Sequence, residues 1–336
     1  MVEGLKPRRF GAVVATMVCA FALLGTAAAQ ASTISIGSVL PTTFKSVAFG
    51  QVETQFNTAL PEKGANLTSP VTGAVVRWRI QGAKGGPFFL RVLHPTGSGA
   101  YTAIGTSAPA TPATTGLQTF TTNIPIHSGD LIAIDSSNPS DEIGLADVAG
   151  ANTAFIFPPP FEGTTAAPSG SASGQELELS AEVQPAPAIA SITPRSGPIA
   201  GGTKVTITGE NLTAASAVKF GDVAATAFTV DSDTQITATV PPATRPGEVD
   251  VTVTTLAGTS KARSAVFGYR GCVVPSLKGA SIAMAKRKLK AGGCKLGSLA
   301  RVAVTAHSKV GRVISQTPKA GKVLAPGAKV NLKVGR

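Results

Sequence analysis

The sequence predicts a mainly β protein assembled from modules, and three observations carry that prediction. The first is composition. Of 336 residues, 37 are Gly and 24 are Pro, while only 14% are charged, 5% are aromatic and 43% are hydrophobic. A chain rich in Val, Thr, Ala, Gly and Pro reads as short strands joined by turns. It lacks the Glu, Lys and Leu density of a coiled coil, and its apolar share argues against wholesale disorder. The second observation is a period of two in hydrophobicity, repeated in many short runs. The third is charge segregation. Residues 271–336 carry fourteen basic residues and no acidic one, whereas residues 32–270 carry thirteen basic and seventeen acidic. The formal charge of +12 therefore belongs to the last segment, and the length leaves room for two or three domains.

Residues 1–31 have the three parts of a secretory signal peptide. Lys6, Arg8 and Arg9 precede an apolar stretch from Gly11 to Leu24, and Ala27-Ala28-Ala29 and Ala29-Gln30-Ala31 both fit an A-x-A cleavage site. The apolar stretch is short for a membrane span, an uncleaved anchor helix being the alternative. No lipobox precedes Cys19, which is expected to leave with the signal. The mature chain then keeps Cys272 and Cys294. In an exported protein an even pair reads as a disulfide, with two free buried thiols as the alternative. Closing that loop contributes ~3 kcal/mol in the chain-entropy account. A module this small has a marginal core without such a staple. No other apolar segment is long enough to span a membrane in the mature chain.

Residues 32–184 predict a β-sandwich, jelly-roll-like. In Val76-Arg77-Trp78-Arg79-Ile80 the two arginines face one way and Val76, Trp78 and Ile80 the other. Phe88, Leu90 and Val92 share a face of the next run. Leu177, Leu179, Ala181 and Val183 alternate with Glu176, Glu178, Ser180 and Glu182. Between these runs, Pro158–Gly174 is low in complexity and reads as a long surface loop before a last strand at 175–183, rather than as a domain boundary.

After a short QPAPA at 184–188 the residues SITPRSGPIAGGTKVTITG (Ser191–Gly209), SAVKFG (Ser216–Gly221), SDTQITATVP (Ser232–Pro241) and VDVTVTTLAGTS (Val249–Ser260) follow in order. This stretch, about 185–269, resembles an IPT/TIG domain, which implies an immunoglobulin-like β-sandwich. Gly201-Gly202 and Gly221-Asp222 supply turns between alternating strands such as Val205-Thr206-Ile207. Such domains serve as spacers, contact modules and dimerisation units, so the resemblance speaks for fold and not for function.

In residues 271–336, Ile282, Ala285 and Leu289 recur at helical spacing, with Ser281 placed to cap and Gly292-Gly293 to terminate. Val330, Leu332 and Val334 alternate with Lys329, Asn331 and Lys333 as a half-buried strand. CVVPSLKG (Cys272–Gly279) before the helix and VISQTPKAGKVLAPGAKVNLKV (Val313–Val334) after it resemble a PASTA domain, a small α+β module.

Resemblance to PASTA domains implies a bacterial cell-wall setting, because the family is associated with peptidoglycan fragments. It occurs on penicillin-binding proteins and receptor kinases, whose own motifs are missing here. Ser216-Ala217-Val218-Lys219 fits S-x-x-K, but it lies inside the IPT/TIG strand motif and no S-D-N or K-T-G accompanies it. The expected partner is peptidoglycan or an anionic wall polymer, held by Lys286, Arg287, Lys288, Lys290, Lys295, Lys329 and Lys333. Such a basic surface concentrates carboxylates and phosphates with strong salt dependence, and a merely solvated basic face is the alternative. The module has no aromatic residue for base stacking, so no specific nucleic-acid partner is expected.

The remaining chemistry is sparse. His94 or His127, with Ser128, Asp130, Asp135, Asp141, Glu142 or Asp147, are the residues a hydrolase in the first domain would have to use. No nucleophile elbow or zinc-ligand spacing accompanies them. Asp135, Asp141 and Glu142 lack the spacing of a calcium loop and read as a solvated acidic loop. Trp78 reads as core rather than as a sugar-stacking platform. Leu40-Pro41-Thr42-Thr43-Phe44 and Leu60-Pro61-Glu62-Lys63-Gly64 are incomplete as wall-sorting motifs. The expectation is a secreted, envelope-associated, non-enzymatic binding protein with no cofactor and no metal. The alternatives are an adhesive or structural protein binding extracellular carbohydrate or protein through its sandwiches, and an exported hydrolase.

Overall fold

The computed structural model describes residues 32–336, so the signal-peptide reading and Cys19 lie outside the described residues. The first region is built from twelve strands: β1 (Ile34–Gly37), β2 (Lys45–Ala48), β3 (Thr54–Ala59), β4 (Gly73–Ile80), β5 (Phe89–Pro95), β6 (Tyr101–Thr106), β7 (Gln118–Ile126), β8 (Leu131–Asp135), β9 (Glu142–Ile156), β10 (Thr165–Ala166), β11 (Gly170–Leu177) and β12 (Leu179–Pro185). One sheet has the order β1-β12-β4-β7. The other runs β10-β6-β5-β8-β3-β9-β11, with β2 added on β9. Setting β1-β12-β4-β7 against β3-β8-β5-β6 gives the two facing four-stranded sheets of a jelly roll, and β9 and β11 extend the second sheet beyond β3.

The alternating runs fill the space between the sheets. Phe88, Leu90 and Val92 on one side meet Trp78, Ile80, Leu179, Ala181 and Val183 on the other. Trp78 is 1% exposed and packs against Phe120 with ring centroids 4.7 Å apart, so it is core. Val76 does not face inward as its position suggests. A β-bulge between Val75 and Arg77 lets Val75 take the core position and pushes Val76 aside. On the outer face, Glu182 of β12 accepts hydrogen bonds from Arg77 and Arg79 of β4.

The run from 175 to 183 is two strands, not one. Leu177 ends β11 in one sheet, Leu179 begins β12 in the other, and the chain changes sheet at Glu178. The stretch 158–174 is likewise not simply a loop, because it contains β10 and the first half of β11. Its Gly, Ser and Ala offer no hydrophobic contrast, and the strand is made by backbone pairing to β9 from Gly170↔Phe155 onward. The segment leading into β10 continues the backbone pairing along the β6 edge of the second sheet. Ala103 N–H donates to the Thr164 carbonyl at 3.0 Å and Gly163 N–H to the Ala103 carbonyl at 2.8 Å. It borders a second apolar cluster, Phe56, Leu93, Ala103, Leu131, Ala133, Ala154 and Ile156, which explains why all of β8 is buried.

The middle region packs two sheets. One contains Ala188–Thr193, Lys204–Glu210, Gln235–Thr239 and Ala227–Ser232. The other contains Ser196–Pro198, Val266–Arg270, Gly247–Thr255, Ala217–Phe220 and Val223–Ala224. Their core centres on Val205, Ile207, Ile236, Val251, Val253 and the edge-to-face trio Phe220, Phe267 and Tyr269. In the last region the helix α1 (Ile282–Ala291) lies on a three-stranded sheet whose central strand, Lys329–Gly335, is parallel to Lys295–Val302 and antiparallel to Val313–Thr317.

Candidate ligand-binding surface of the basic module

The helix begins and ends where its punctuation predicts. Ser281 accepts a hydrogen bond from Met284 N–H at 3.3 Å as the N-cap. At the other end Cys294 N–H donates to the Leu289 carbonyl at 2.9 Å and Gly293 N–H to that of Lys290 at 3.1 Å. Gly293 has φ +71°, the left-handed residue of a Schellman motif. That turn delivers Cys294 into the core beside Leu289, and there it forms a disulfide with Cys272. Ala285 and Leu289 pack on Val330, Leu332 and Val334, so the helix covers one face of the sheet and leaves the other bare.

This layering sorts the seven basic residues singled out above. All seven are exposed, but they do not form one patch. Lys286, Arg287, Lys288 and Lys290 ride on the helix, where Lys288 Nζ reaches the Ser276 carbonyl at 3.3 Å. Lys329 and Lys333 alternate with buried residues and so project from the bare face of the sheet, with Lys295 paired beside Lys329 in the parallel register. Lys288 and Lys290 lie in the last turn of the helix, where positive charge complements the helix dipole.

Sequence reading missed a third group. Lys278, Lys309 and Arg312, with Gly279, Ser308, Val313 and Ile314, line a cleft of about 520 Å³. Lys278 precedes the helix, Lys309 ends the 3₁₀ turn His307–Lys309, and Arg312 leads into the strand Val313–Thr317. The bridge between Ser281 and Arg312 and the bond from Gly279 N–H to the Val313 carbonyl at 2.8 Å bring the three together. Val313 and Ile314 make the floor apolar. A ligand with an anionic group and a small apolar part fits that combination. Among the described residues, none of the fourteen cations of this module is in an ion pair.

In the first domain two histidines converge on one carboxylate. His94 Nδ1 lies 2.6 Å from one oxygen of the fully buried Asp130, and His127 Nδ1 lies 3.3 Å from the other. Asp130 also accepts the His127 backbone N–H at 2.7 Å, which fixes the turn His127–Asp130. Ser128 points away, donating to the Pro70 carbonyl at 3.3 Å. A carboxylate orients two imidazoles, and among the described residues no hydroxyl or thiol is hydrogen-bonded to either ring.

The acidic residues expected to form a solvated loop are not solvated where it matters. Asp135 is buried against Arg91, with Arg91 Nε at 2.8 Å, and accepts from Thr54 Oγ1 at 2.6 Å. Asp141 accepts from the backbone of Gly86, Ser137 and Asn138 and from the Ser137 hydroxyl. Burial alone would push the Asp141 carboxyl up, but these donors outweigh it and hold it below the usual range. Glu142 and Asp147 face Lys84 and Lys45. In Ser216-x-x-Lys219, the serine hydroxyl donates to the Thr254 carbonyl and Lys219 stands exposed three positions along a strand, so the two are not a catalytic pair.

Family models match the chain in two places: the IPT/TIG domain over residues 187–265 and the PASTA domain over residues 273–336. No curated protein matches the chain. Among solved structures, the plexin A4 full extracellular region over domains 1 to 8 aligns at 18% identity and a TM-score of 0.24, covering 73% of this chain and 19% of that one. The same region over domains 1 to 10 aligns at 18% identity and a TM-score of 0.24, covering 73% of this chain and 16% of that one. The chain thus spans about a fifth or less of the length of these proteins.

Proposed function

We infer that this chain, which carries an IPT/TIG domain followed by a C-terminal PASTA domain, is a secreted cell-envelope binding protein whose last module holds peptidoglycan or an anionic wall polymer. The observation that carries this reading is the basic cleft. Three cations with no anion among them surround an apolar floor, on a module in which every charge is positive and exposed. Peptidoglycan stem peptides combine carboxylates with small apolar side chains, and such a group would sit in a cleft of this kind. Extended polyanions would instead lie along the bare sheet face of Lys295, Lys329 and Lys333, where attraction is electrostatic and screened by salt. The role is binding rather than catalysis. The IPT/TIG sandwich acts as a spacer or pairing unit, and the jelly roll is what is displayed.

The test is co-sedimentation of the full mature chain with purified peptidoglycan, with and without attached polymers, at two salt concentrations. The expected result is binding that survives the higher salt, is competed by muropeptides, and is lost in Lys309→Glu/Arg312→Glu. The open-face variant Lys329→Glu/Lys333→Glu should lose only the salt-sensitive part. Binding that disappears with salt, or that any polyanion matches, would reduce the module to an electrostatic tether.

A further inference from the structure

The strand change at Glu178 leaves a group of carboxylates in an unusual place. Glu176 and Glu178 are 0% exposed, and all four of their carboxylate oxygens, together with Glu62 Oε2, are buried without a close hydrogen-bond partner, the Ser38 hydroxyl being the one donor beside Glu176. Burying a carboxylate unpaired is costly when it is charged and far less so when it is protonated.

Beside them begins a short strap that runs from Ser38 to the far edge of β9. Ser38, next to Glu176, roots it, with its N–H donating to the Leu179 carbonyl at 2.8 Å. Leu40 takes a left-handed φ of 57°, and the Pro41 carbonyl accepts from Gln81 Nε2 at 3.2 Å. Phe44 reaches Gly82, which itself abuts Gly144. The strap ends in β2, whose four residues are all exposed although they pair with β9 from Lys45↔Leu145 to Ala48↔Glu142. Glu176 sits opposite Ala146 of β9, and the Glu178 side chain lies against Gly144. Under the strap a crevice of about 220 Å³ runs between Pro41, Thr43, Phe44 and Lys45 on one side and Leu145–Val148 on the other.

We propose that Ser38–Ala48 is a proton-held strap, which lies closed beside Glu176 and Glu178 while they are protonated and lifts when they ionise. The charged groups around them offer no relief. From the loop after β3 comes Glu62, flanked by the exposed Lys63. From β2 and β9 come Lys45 and Asp147, which pair with each other, and Lys84 pairs with Glu142 at the start of β9. The positions just after β1 and β4 contribute only the neutral Ser38 and Gln81.

Titration follows from this placement. Burial, and then contact with Glu62, outweigh the stabilising Ser38 hydroxyl and push the Glu176 carboxyl up to about 7. Burial, and then the charges of Glu176 and Glu62, pushes Glu178 up to about 8. Both acids start from an ordinary value of 4.5, so the closed state binds protons that the open state releases. Closure is therefore firmest at or below that ordinary value and weakens as pH rises through 7 to 8.

The experiment is hydrogen–deuterium exchange on the full mature chain at pH 6 and pH 9, corrected for the intrinsic rate and read in peptides covering 38–48. Exchange there should be at least about tenfold faster at the higher pH, the equivalent of one pKa unit. The difference should vanish in Glu176→Gln/Glu178→Gln. Should that variant not fold, tryptic cleavage of the native chain after Lys45, measured against cleavage after the exposed Lys319, supplies the same comparison. Equal protection at both pH values overturns the proposal, as does a pH response that persists in the variant. Restored protection at the higher pH on adding about 1 mM Ca²⁺ would assign the carboxylates to a hard cation instead and also overturn it.

Discussion

At the scale of the residue, the jelly roll contains two kinds of buried acid, and they bend its pH dependence in opposite directions. Glu182 feels burial, which raises it, but hydrogen bonds from Arg77 and Arg79 outweigh that and hold it below the usual range. Asp141 behaves in the same way with its backbone donors. Their contribution to stability is present above the ordinary carboxylate value and is lost as pH falls through the folded value. Glu176 and Glu178 do the reverse. Thermal melts of the native chain should therefore fall off on both sides of a maximum. In Glu176→Gln/Glu178→Gln the alkaline decline should disappear while the acid decline stays; an unchanged alkaline limb would count against the burial argument. The Arg91–Asp135 pair is a different matter, since both side chains are under 10% exposed. Arg91→Ala leaves a buried carboxylate with no cation and only the Thr54 hydroxyl as side-chain donor, and should cost ~3–5 kcal/mol by urea unfolding. A loss below about 1 kcal/mol, the scale of a surface pair, would mean that water replaces the guanidinium.

At the scale of the element, α1 was the most legible part of the chain, because its apolar spacing, its cap and its terminator agree. Ser281→Ala should cost about 1 kcal/mol. Removing the Cys272–Cys294 bridge, whose sequence separation is 22, should cost ~3 kcal/mol and selectively lower the transition of the last module in calorimetry. No shift on reduction would mean that the module's core suffices alone. The alternation of Leu177, Leu179, Ala181 and Val183 was equally visible, yet its division between two sheets was not. Inward-facing residues look the same whichever sheet carries them, and a sandwich buries both inner faces in one core. The polar residues between them were harder still. Glu182 ends beside two arginines, while Glu176 and Glu178 end buried without a cation, next to the root of a strap from far upstream, and the local pattern is identical for all three. In 170–174, Gly, Ser and Ala carry no periodic contrast, so only pairing to β9 reveals the strand.

Across the whole molecule charge is the organising feature, and the proposed wall binding is tested by its response to salt. Apparent affinity should fall with added salt for the fraction carried by the bare sheet face and hold for the fraction carried by the cleft. A single steep salt dependence, unchanged by Lys309→Glu/Arg312→Glu, would remove the cleft from the argument. Legible from the residues without any structure are the mainly β character, the mildly acidic part before a wholly basic module, the start and stop of that module's helix, and the families its last two segments resemble. Those properties are written in composition, in short periods and in local turn chemistry. Only the folded chain reveals that the seven foreseen cations divide between a helix and the opposite sheet face, that Lys278, Lys309 and Arg312 converge on a cleft, and that Glu62, Glu176 and Glu178 meet near the root of a strap. Each of these depends on residues distant in sequence being brought together by sheet pairing and by the covering of one face, and burial of that kind leaves no mark on the local pattern.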